Sequence, residues 1–418
     1  MAIVKDVMYH KFRAYGFLKN LRFFDPFIIL FFREAGLSFL QIGALFSIRE
    51  IAINILEVPT GVIADAYGRK KAMLASFTSY LISFALFYFF SQFAVYAIAM
   101  VIFASGEAFR SGTHKAMIFE HLRITGKEEM RVEYYGHTRA ASQFGSALAA
   151  LIAAGLVFYS GNYRIVFAAT IVPYILGFLL IASYPSTLDG QAGDTYQTRI
   201  SRPGKRTLDA IKESARMLLQ LDLLRSIANA ATFDSLFKAT KDYLQPILKF
   251  QAVSLPILLT IAVEQRTAII VGVVYFIIYL GTSYTSSHAD SVVRRARSLL
   301  VAANVIYVMG MVLLIVAGIA SWQNLPGLAI AGFLGLYLLY NLRRPMIVGY
   351  LAQLIPHQSM ATGLSIESQA RTLVTAAIAP VIGWLADRYG VGAALGIIAA
   401  VGLLLLPLLA LRRPNQEI

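Results

Sequence analysis

A chain of 418 residues that is 58% hydrophobic and 14% charged, with a mean hydropathy of +0.65, is far more apolar than a soluble domain, which averages about 45–50% apolar and about 25% charged. The net charge of +14 does not indicate nucleic acid, because most cations lie in short stretches between apolar runs, and the absence of cysteine excludes disulfides and thiolate metal sites. Apolar runs of about 20 residues recur from end to end, the length that spans a bilayer, so the expected fold class is an all-α polytopic membrane protein.

The opening stretch, MAIVKDVMYHKFRAYGF, lacks an apolar core followed by a cleavage site, and no removable signal peptide is expected. Twelve spans are predicted, at 12–33, 40–64, 71–91, 93–118, 136–159, 164–184, 224–249, 266–288, 298–320, 326–352, 364–386 and 391–411. An even number puts both termini on one side. With the termini inside, the inner segments hold roughly twenty Lys and Arg and the outer loops about five, which predicts cytoplasmic termini and, as the setting, a bacterial inner (plasma) membrane.

The one long polar segment is 185–223. Its first part reads as a flexible linker, and LDAIKESARMLLQLDLL reads as an amphipathic helix on the inner membrane surface. The expected domains are therefore 1–184, the cytoplasmic linker 185–223, and 224–418. The halves look duplicated. GVIADAYGRKKAM places Gly61, Asp65 and Arg69 where SSHADSVVRRARS places Ser286, Asp290 and Arg294. FLKNLRFFDPFIIL of the first span and LFKATKDYLQPILK of the seventh each carry two cations three residues apart, then a Pro. Duplicated halves with a site between them are a common plan of secondary transporters.

Charges inside spans cost about 2.5–3.5 kcal/mol each on insertion scales and face a bundle interior or water. Residues three or four apart share a helix face. On that rule the stripes are Lys19, Arg22 and Asp25 or Pro26; Glu50, Asn54, Glu57 and Gly61; Glu107, Arg110 and His114; Asp234, Lys238, Lys241 or Asp242, and Gln245; and Glu367, Arg371 and Thr375. Arg343 and Arg344 precede Pro345 in the tenth span. At about 1.5 Å per residue, Asp25, Glu107 and Lys238 lie roughly 20 Å from one membrane face.

Asp25 leads as the carboxylate for protonation, followed by Glu107 and Glu50. Arg139, Tyr275 and Tyr279 join the cavity candidates. Arg49–Glu50 and Glu264–Arg266 read as structural ion pairs. His114 and His137 read as hydrogen-bonded residues, and no metal or cofactor is expected. The aromatics of FALFYFF (84–90) read as packing or lipid-facing. In-span cations outnumber in-span acids, which favours an anionic or zwitterionic solute. None of the sequence signatures of a zinc protease, a serine hydrolase, a P-loop or a dinucleotide fold is present, so the chain is not expected to be an enzyme.

GVIADAYGRKK (61–71) matches G-x-x-x-D-x-x-G-R-[KR]-[KR], the signature between spans 2 and 3 of the major facilitator superfamily. FRSGTHKAMI in the fourth span and GWLADRYG (383–390) at the end of the eleventh add to the resemblance. The resemblance implies twelve transmembrane helices in two pseudo-symmetric six-helix bundles, with spans 1, 4, 7 and 10 lining a central cavity. It also implies a latch at the inner face made by Gly61, Asp65, Gly68, Arg69, Lys70 and Lys71, with a weaker copy at Asp290 and Arg294. Physically, Gly61 permits close helix approach, Asp65 accepts from Arg69 and faces a helix dipole, Gly68 permits the turn, and the three cations sit at anionic headgroups of membrane lipid.

The function implied is alternating-access transport of a small-molecule substrate, for which a monomer suffices, coupled to a proton as co-substrate. The expected solute is an amphipathic organic anion or zwitterion, and the expected direction is export. The alternative is a multidrug-type proton antiporter for lipophilic cations.

Overall fold

The computed structural model describes residues 6–189, 220–254, 260–295, 298–355 and 360–412. Asp6 opens α1 (Val7–Lys19) by accepting the Tyr9 N–H at 2.7 Å, which satisfies a donor that a helix start leaves free. The helix then stops inside the first expected span. Residues 20–24 are not helical, Asp25–Phe27 form a single 3-10 turn, and α2 (Ile28–Glu34) resumes. Pro26 supplies the reason. It has no N–H to donate, and in a continuous helix its ring would press on the carbonyl four residues back, that of Arg22.

The seventh expected span breaks in the same manner. Helix α9 (Leu221–Thr240) gives way to a 3-10 turn at Lys241–Tyr243, and α10 (Leu244–Ser254) contains Pro246. The resemblance between the two sequence segments is thus a resemblance of broken helices. The fourth span, expected to be continuous over 93–118, is also interrupted. Helix α5 (Phe93–Arg110) ends at Ser111, and Gly112, at φ 74°, redirects the chain into α6 (Thr113–Ile124).

The other helices are α3 (Phe39–Tyr67), α4 (Arg69–Phe89), α7 (Arg131–Ser160), α8 (Ile165–Ala182), α11 (Val263–Arg295), α12 (Leu299–Trp322), α13 (Pro326–Leu354), α14 (Met360–Tyr389), α15 (Val391–Leu404) and α16 (Leu406–Leu409). Among the described residues no strand occurs. Among the described residues, eight helical runs are long and apolar enough to cross a membrane by length and composition. They correspond to expected spans 2, 3, 4, 5, 6, 8, 9 and 11. Of the remaining four, 12–33 and 224–249 are the broken helices, 326–352 is α13 with Arg343 and Arg344 inside it, and 391–411 is α15 and α16 with Leu405 between. The expected surface helix lies largely outside the described residues, and its last residues already belong to α9.

Packing sorts the chain into two compact units. Unit 1 comprises 1–37, 48–201 and 252–280, and unit 2 comprises 38–47, 202–251 and 281–418. In unit 1, α1 packs on α7, and α4 packs on both α5 and α8. In unit 2, α9 packs on α14, and α12 packs on both α13 and α15. These are the same three pairings by order within each half. The core of unit 1 is aromatic. Phe24 stacks on Phe167 at 5.2 Å, and Phe31, Phe84 and Phe87 close around them. Within FALFYFF, Phe84 and Phe87 are therefore core residues, whereas Phe89 and Phe90 are exposed. Apolar side chains such as Ile55, Val62 and Leu179 lie exposed along the helices, a surface suited to lipid rather than water.

Each unit also takes in a piece of the other half, 252–280 in unit 1 and 38–47 in unit 2. The first turns of α3 pack on the last turns of α14 within unit 2. Only glycine fits there. A Cβ at Gly383 would lie 2.2 Å from the Phe39 carbonyl oxygen, and one at Gly43 would lie 2.3 Å from that of Ala379. The Asp387 carboxylate accepts the Phe39 N–H at 2.9 Å and the Leu40 N–H at 2.7 Å, which caps α3.

Candidate functional site

Among the described residues, each unit holds a cluster of ionisable side chains around a central carboxylate or arginine. In unit 1 the centre is Glu107, on α5 three residues before that helix ends. Arg22, from the break after α1, donates through Nη2 to Oε1 of Glu107. Arg110 donates through Nη2 to Oε2 at 2.5 Å, and the Tyr80 hydroxyl of α4 donates to Oε1 at 2.7 Å. Arg110 Nε in turn donates to the Tyr80 hydroxyl at 3.1 Å. Arg22 Nε donates to the Tyr174 hydroxyl of α8 at 3.0 Å, and that hydroxyl donates to the Lys19 carbonyl at 3.0 Å. The end of α1 is thus tied to the cluster through its own backbone.

Groups from the break, α4 and α5 meet at one carboxylate, and α8 joins through Arg22, because α1 stops at Lys19. An unbroken helix would carry Arg22 on as part of a stripe. The break lets it turn to α5. The predicted stripe of Lys19, Arg22 and Asp25 is therefore corrected: the three are brought together by an interruption, not by helical repeat. Asp25 begins the 3-10 turn and is half-buried, and it acts electrostatically on both Lys19 and Arg22. Tyr80 and Tyr174 were not foreseen. Tyr80 follows three serines and threonines in a span read only for hydropathy, and nothing in that pattern marks it.

In unit 2 the centre is Arg344 of α13. Its Nη1 donates to Oδ2 of Asp234 on α9 and, at 2.8 Å, to Oε1 of Glu367 on α14. Arg371 approaches Asp234 at 3.9 Å and donates to Ser368 Oγ at 3.1 Å. Asp234 and Glu367 are each 3% exposed. Arg343 lies in the core of unit 2. It is 1% exposed, donates to the Asn229 side chain and to the Ala303 carbonyl at 3.3 Å, and lies 4.4 Å over the Phe233 ring. Adjacent residues on a helix point about 100° apart, and packing has put Arg343 in the core and Arg344 at the carboxylates.

The remaining candidates are scattered. Glu50 is fully buried and pairs with Arg49 at 3.0 Å, as expected. The expected Glu264–Arg266 pair is absent among the described residues, and Arg266 Nε and Nη1 are buried without a hydrogen-bond partner. Asn54 is half-buried on α3, and Glu57 accepts from Ser111 Oγ at 3.0 Å. His114 belongs to an aromatic pack: it stacks on Tyr15 at 3.6 Å and meets the Tyr184 hydroxyl at 3.3 Å. His137 meets the Tyr9 hydroxyl at 2.9 Å. Arg139 is exposed on α7. Lys238 is half-buried near the end of α9, and Lys241 pairs with its neighbour Asp242 at 2.6 Å. Tyr275 is buried against Tyr279, their rings 6.1 Å apart.

The signature loop has a partner that sequence did not suggest. The Lys70 N–H, at the start of α4, is taken by the Asp189 carboxylate at 2.6 Å, and Lys70 Nζ donates to the Tyr184 carbonyl at 2.7 Å. Gly68, at φ 101°, lies against that same carboxylate, where a Cβ would sit 3.0 Å away. Arg69 reaches Glu120 of α6 at 4.0 Å, not Asp65. Asp65 and Lys71 are exposed, and a Cβ at Gly61 would meet nothing within 4 Å. Asp290 and Arg294 fall in the last turns of α11, but their side chains lie outside the described residues.

Comparison with known proteins agrees with this architecture. Residues 20–263 match the Major Facilitator Superfamily. Over 228 residues the chain is 30% identical to a Bacillus subtilis (strain 168) protein named "Uncharacterized MFS-type transporter YxaM". That alignment takes in 54% of this chain and 54% of the relative, so the chain spans about half the length of the curated relative it matches. The crystal structure of nucleoside transporter NupG superposes with a TM-score of 0.75 at 13% identity, over 97% of this chain and 99% of that one. A D-xylose-proton symporter superposes with a TM-score of 0.71 at 14% identity, over 98% of both chains. At such identities the likeness is one of fold.

Proposed function

The chain belongs to the Major Facilitator Superfamily, an integral membrane transporter family and not an enzyme family, and from that premise we propose that it is a secondary active transporter of a small organic anion or zwitterion. Twelve spans in halves 1–184 and 224–418, joined by the cytoplasmic linker 185–223, work by alternating access, with both termini cytoplasmic and a monomer as the working unit. One observation carries the choice of solute. The unit 1 cluster sets three basic side chains, Lys19, Arg22 and Arg110, beside two acidic ones, Glu107 and Asp25, a surplus of basic groups among helices where every ion is costly. An anion compensates that surplus.

A proton is the proposed co-substrate and Asp25 the leading acceptor. Both oxygens of Glu107 are taken by Arg22, Arg110 and Tyr80, and Glu50 is enclosed with Arg49. Asp25 sits at a helix break, where a change of backbone alters its surroundings most directly. Export is the direction the family resemblance suggests. The second reading, a proton antiporter for lipophilic cations, draws on the two buried carboxylates of unit 2, Asp234 and Glu367.

The test is counterflow in proteoliposomes with a charge-sorted solute panel, under an imposed pH gradient. Saturable uptake of anions, lost to the gradient in Asp25→Asn while counterflow persists, is the expected result. Saturable uptake of lipophilic cations in place of anions would replace the first reading with the second.

A further inference from the structure

A groove of about 390 Å³ runs between α1 and α7 within unit 1, and none of the side chains that line it belongs to the Glu107 cluster. That volume lies in the range of small-molecule sites, about 300–1,000 Å³. Close packing beside the groove explains its shape. A Cβ at Gly16 would lie 2.6 Å from the Thr138 carbonyl oxygen, and one at Gly145 would lie 2.6 Å from that of Phe17, so the two helices meet backbone to backbone there. Alongside that seam the small side chains Ala14, Ala140 and Ala141 leave the space open. The two ends differ in chemistry. His10 and Arg13 line one, and Phe17 and Phe144 line the other. The Phe17 and Phe144 rings stack at 6.0 Å, and Phe144 is 63% exposed, so its ring is open to a ligand.

Arg13 stands on a fixed platform. Its guanidinium lies 5.5 Å over the ring of Tyr9, which is 2% exposed, gives its N–H to Asp6 and meets His137 through its hydroxyl at 2.9 Å. The His10 ring meets the same tyrosine edge-on at 5.3 Å. Among the described residues Arg13 makes no hydrogen bond and no ion pair. A guanidinium stays charged and presents a planar fork of donors that matches a carboxylate. Phe17 follows one helical turn later, about 6 Å along the axis, a separation that a short alkyl spacer covers. From His10 to Phe17 the groove runs about 10 Å along α1. That is short of the roughly 15 Å that one acyl chain spans in half of a hydrocarbon core of about 30 Å, so a compact solute fits the groove better than a lipid. We propose that this groove binds a ring-bearing monocarboxylate, with the carboxylate on the Arg13 fork beside His10 and the ring on the Phe17–Phe144 wall. This rests on the anion reading above and narrows it to aryl carboxylates. With cytoplasmic termini, α1 enters from the inner side, so a departing solute reaches the groove before the cluster that Arg22 joins beyond the end of that helix.

Thermal shift on the purified full chain tests the proposal with 3-phenylpropanoate, its neutral amide, 3-phenylpropylamine and the ring-free hexanoate, since binding to the folded state alone raises the melting temperature. 3-Phenylpropanoate should stabilise most. Arg13→Gln should lose about tenfold or more in affinity for both carboxylates, the loss of one charge-assisted contact, while Arg13→Lys keeps part of it. Phe144→Ala, at a ring that is mostly exposed, should lose the preference for 3-phenylpropanoate over hexanoate and keep that for carboxylate over amide. A folded Arg13→Gln or Phe144→Ala protein with the ligand preferences of the parent overturns the proposal. So does a parent that ignores 3-phenylpropanoate, and saturable counterflow of other anions then leaves the anion reading standing. Stabilisation by phosphatidylglycerol in mixed micelles that depends on Arg13, with no response to 3-phenylpropanoate, replaces the solute with a lipid headgroup. Neither binding nor counterflow of any anion in the unaltered protein overturns both readings.

Discussion

Two neighbouring arginines show what a single residue's surroundings decide. Arg343 and Arg344 carry the same charge one position apart, yet one is held by Asn229 and two aromatic rings and the other by two acids. Sequence located the pair within the span but not the face each would take, because α13 is apolar on nearly all sides and leaves no polar stripe to orient it. Asp6 makes a similar point ahead of the first span. Burial alone would push its carboxyl up, but the Tyr9 N–H, His121 and Lys127 together outweigh that and hold it below the usual carboxylate range. A depressed carboxyl contributes stability that is present above its unfolded value of about 3.9 and is lost as pH falls through the lower folded value. The expected outcome is a melting temperature that falls below about pH 4 in the parent and falls less in Asp6→Asn. Equal acid sensitivity in both proteins would remove Asp6 from the account.

Broken helices are the elements on which the candidate site depends. Apolar length made the spans legible, but helical spacing could not show that Lys19, Arg22 and Asp25 flank a break. The signal for the break was present in Pro26 and Pro246, each four or five residues after the second cation of its pair. It went unread because a proline inside a membrane span is often tolerated, as Pro59, Pro173, Pro345 and Pro380 are here, inside helices that continue through them. What separates the two cases is the set of polar side chains Asn20, Arg22 and Asp25 ahead of Pro26, of which Asn20 closes the end of α1 by donating to the Gly16 carbonyl. Pro26→Ala removes the clash and restores a donor, so α1 and α2 should join more readily and draw Arg22 away from Glu107. The expected result is retained or higher stability with loss of ligand binding. Circular dichroism and thermal shift read the first, and binding of the best anion of the charge-sorted panel reads the second. Unimpaired binding would mean that those polar side chains hold the break without the proline.

The whole molecule uses one short pattern twice, with different results. GVIADAYG at the end of α3 and GWLADRYG at the end of α14 agree at both glycines, the alanine, the aspartate and the tyrosine. At the second, Gly383 lies against backbone of α3 and Asp387 caps that helix. At the first, Gly61 faces open space and Asp65 is exposed. A glycine kept where nothing presses on it costs helix stability of about 1 kcal/mol relative to alanine. The cost makes sense if another conformation closes on that surface, as the expected latch requires. The two glycines therefore separate folding from cycling. Gly383→Val meets the Phe39 carbonyl in the conformation described and should lower the melting temperature while weakening transport. Gly61→Val meets nothing there, and its stability should stay within about 0.5 kcal/mol of the parent or rise. Its transport should nevertheless fail, because a side chain now occupies the surface that the other conformation needs. Spin labels at Gln41→Cys and Arg388→Cys, feasible in a chain without native cysteine, should report the α3–α14 contact as permanently formed in Gly61→Val and loosened in Gly383→Val. A Gly61→Val protein that transports at the parent rate would show that the first copy closes on nothing, and the latch would have to be given up.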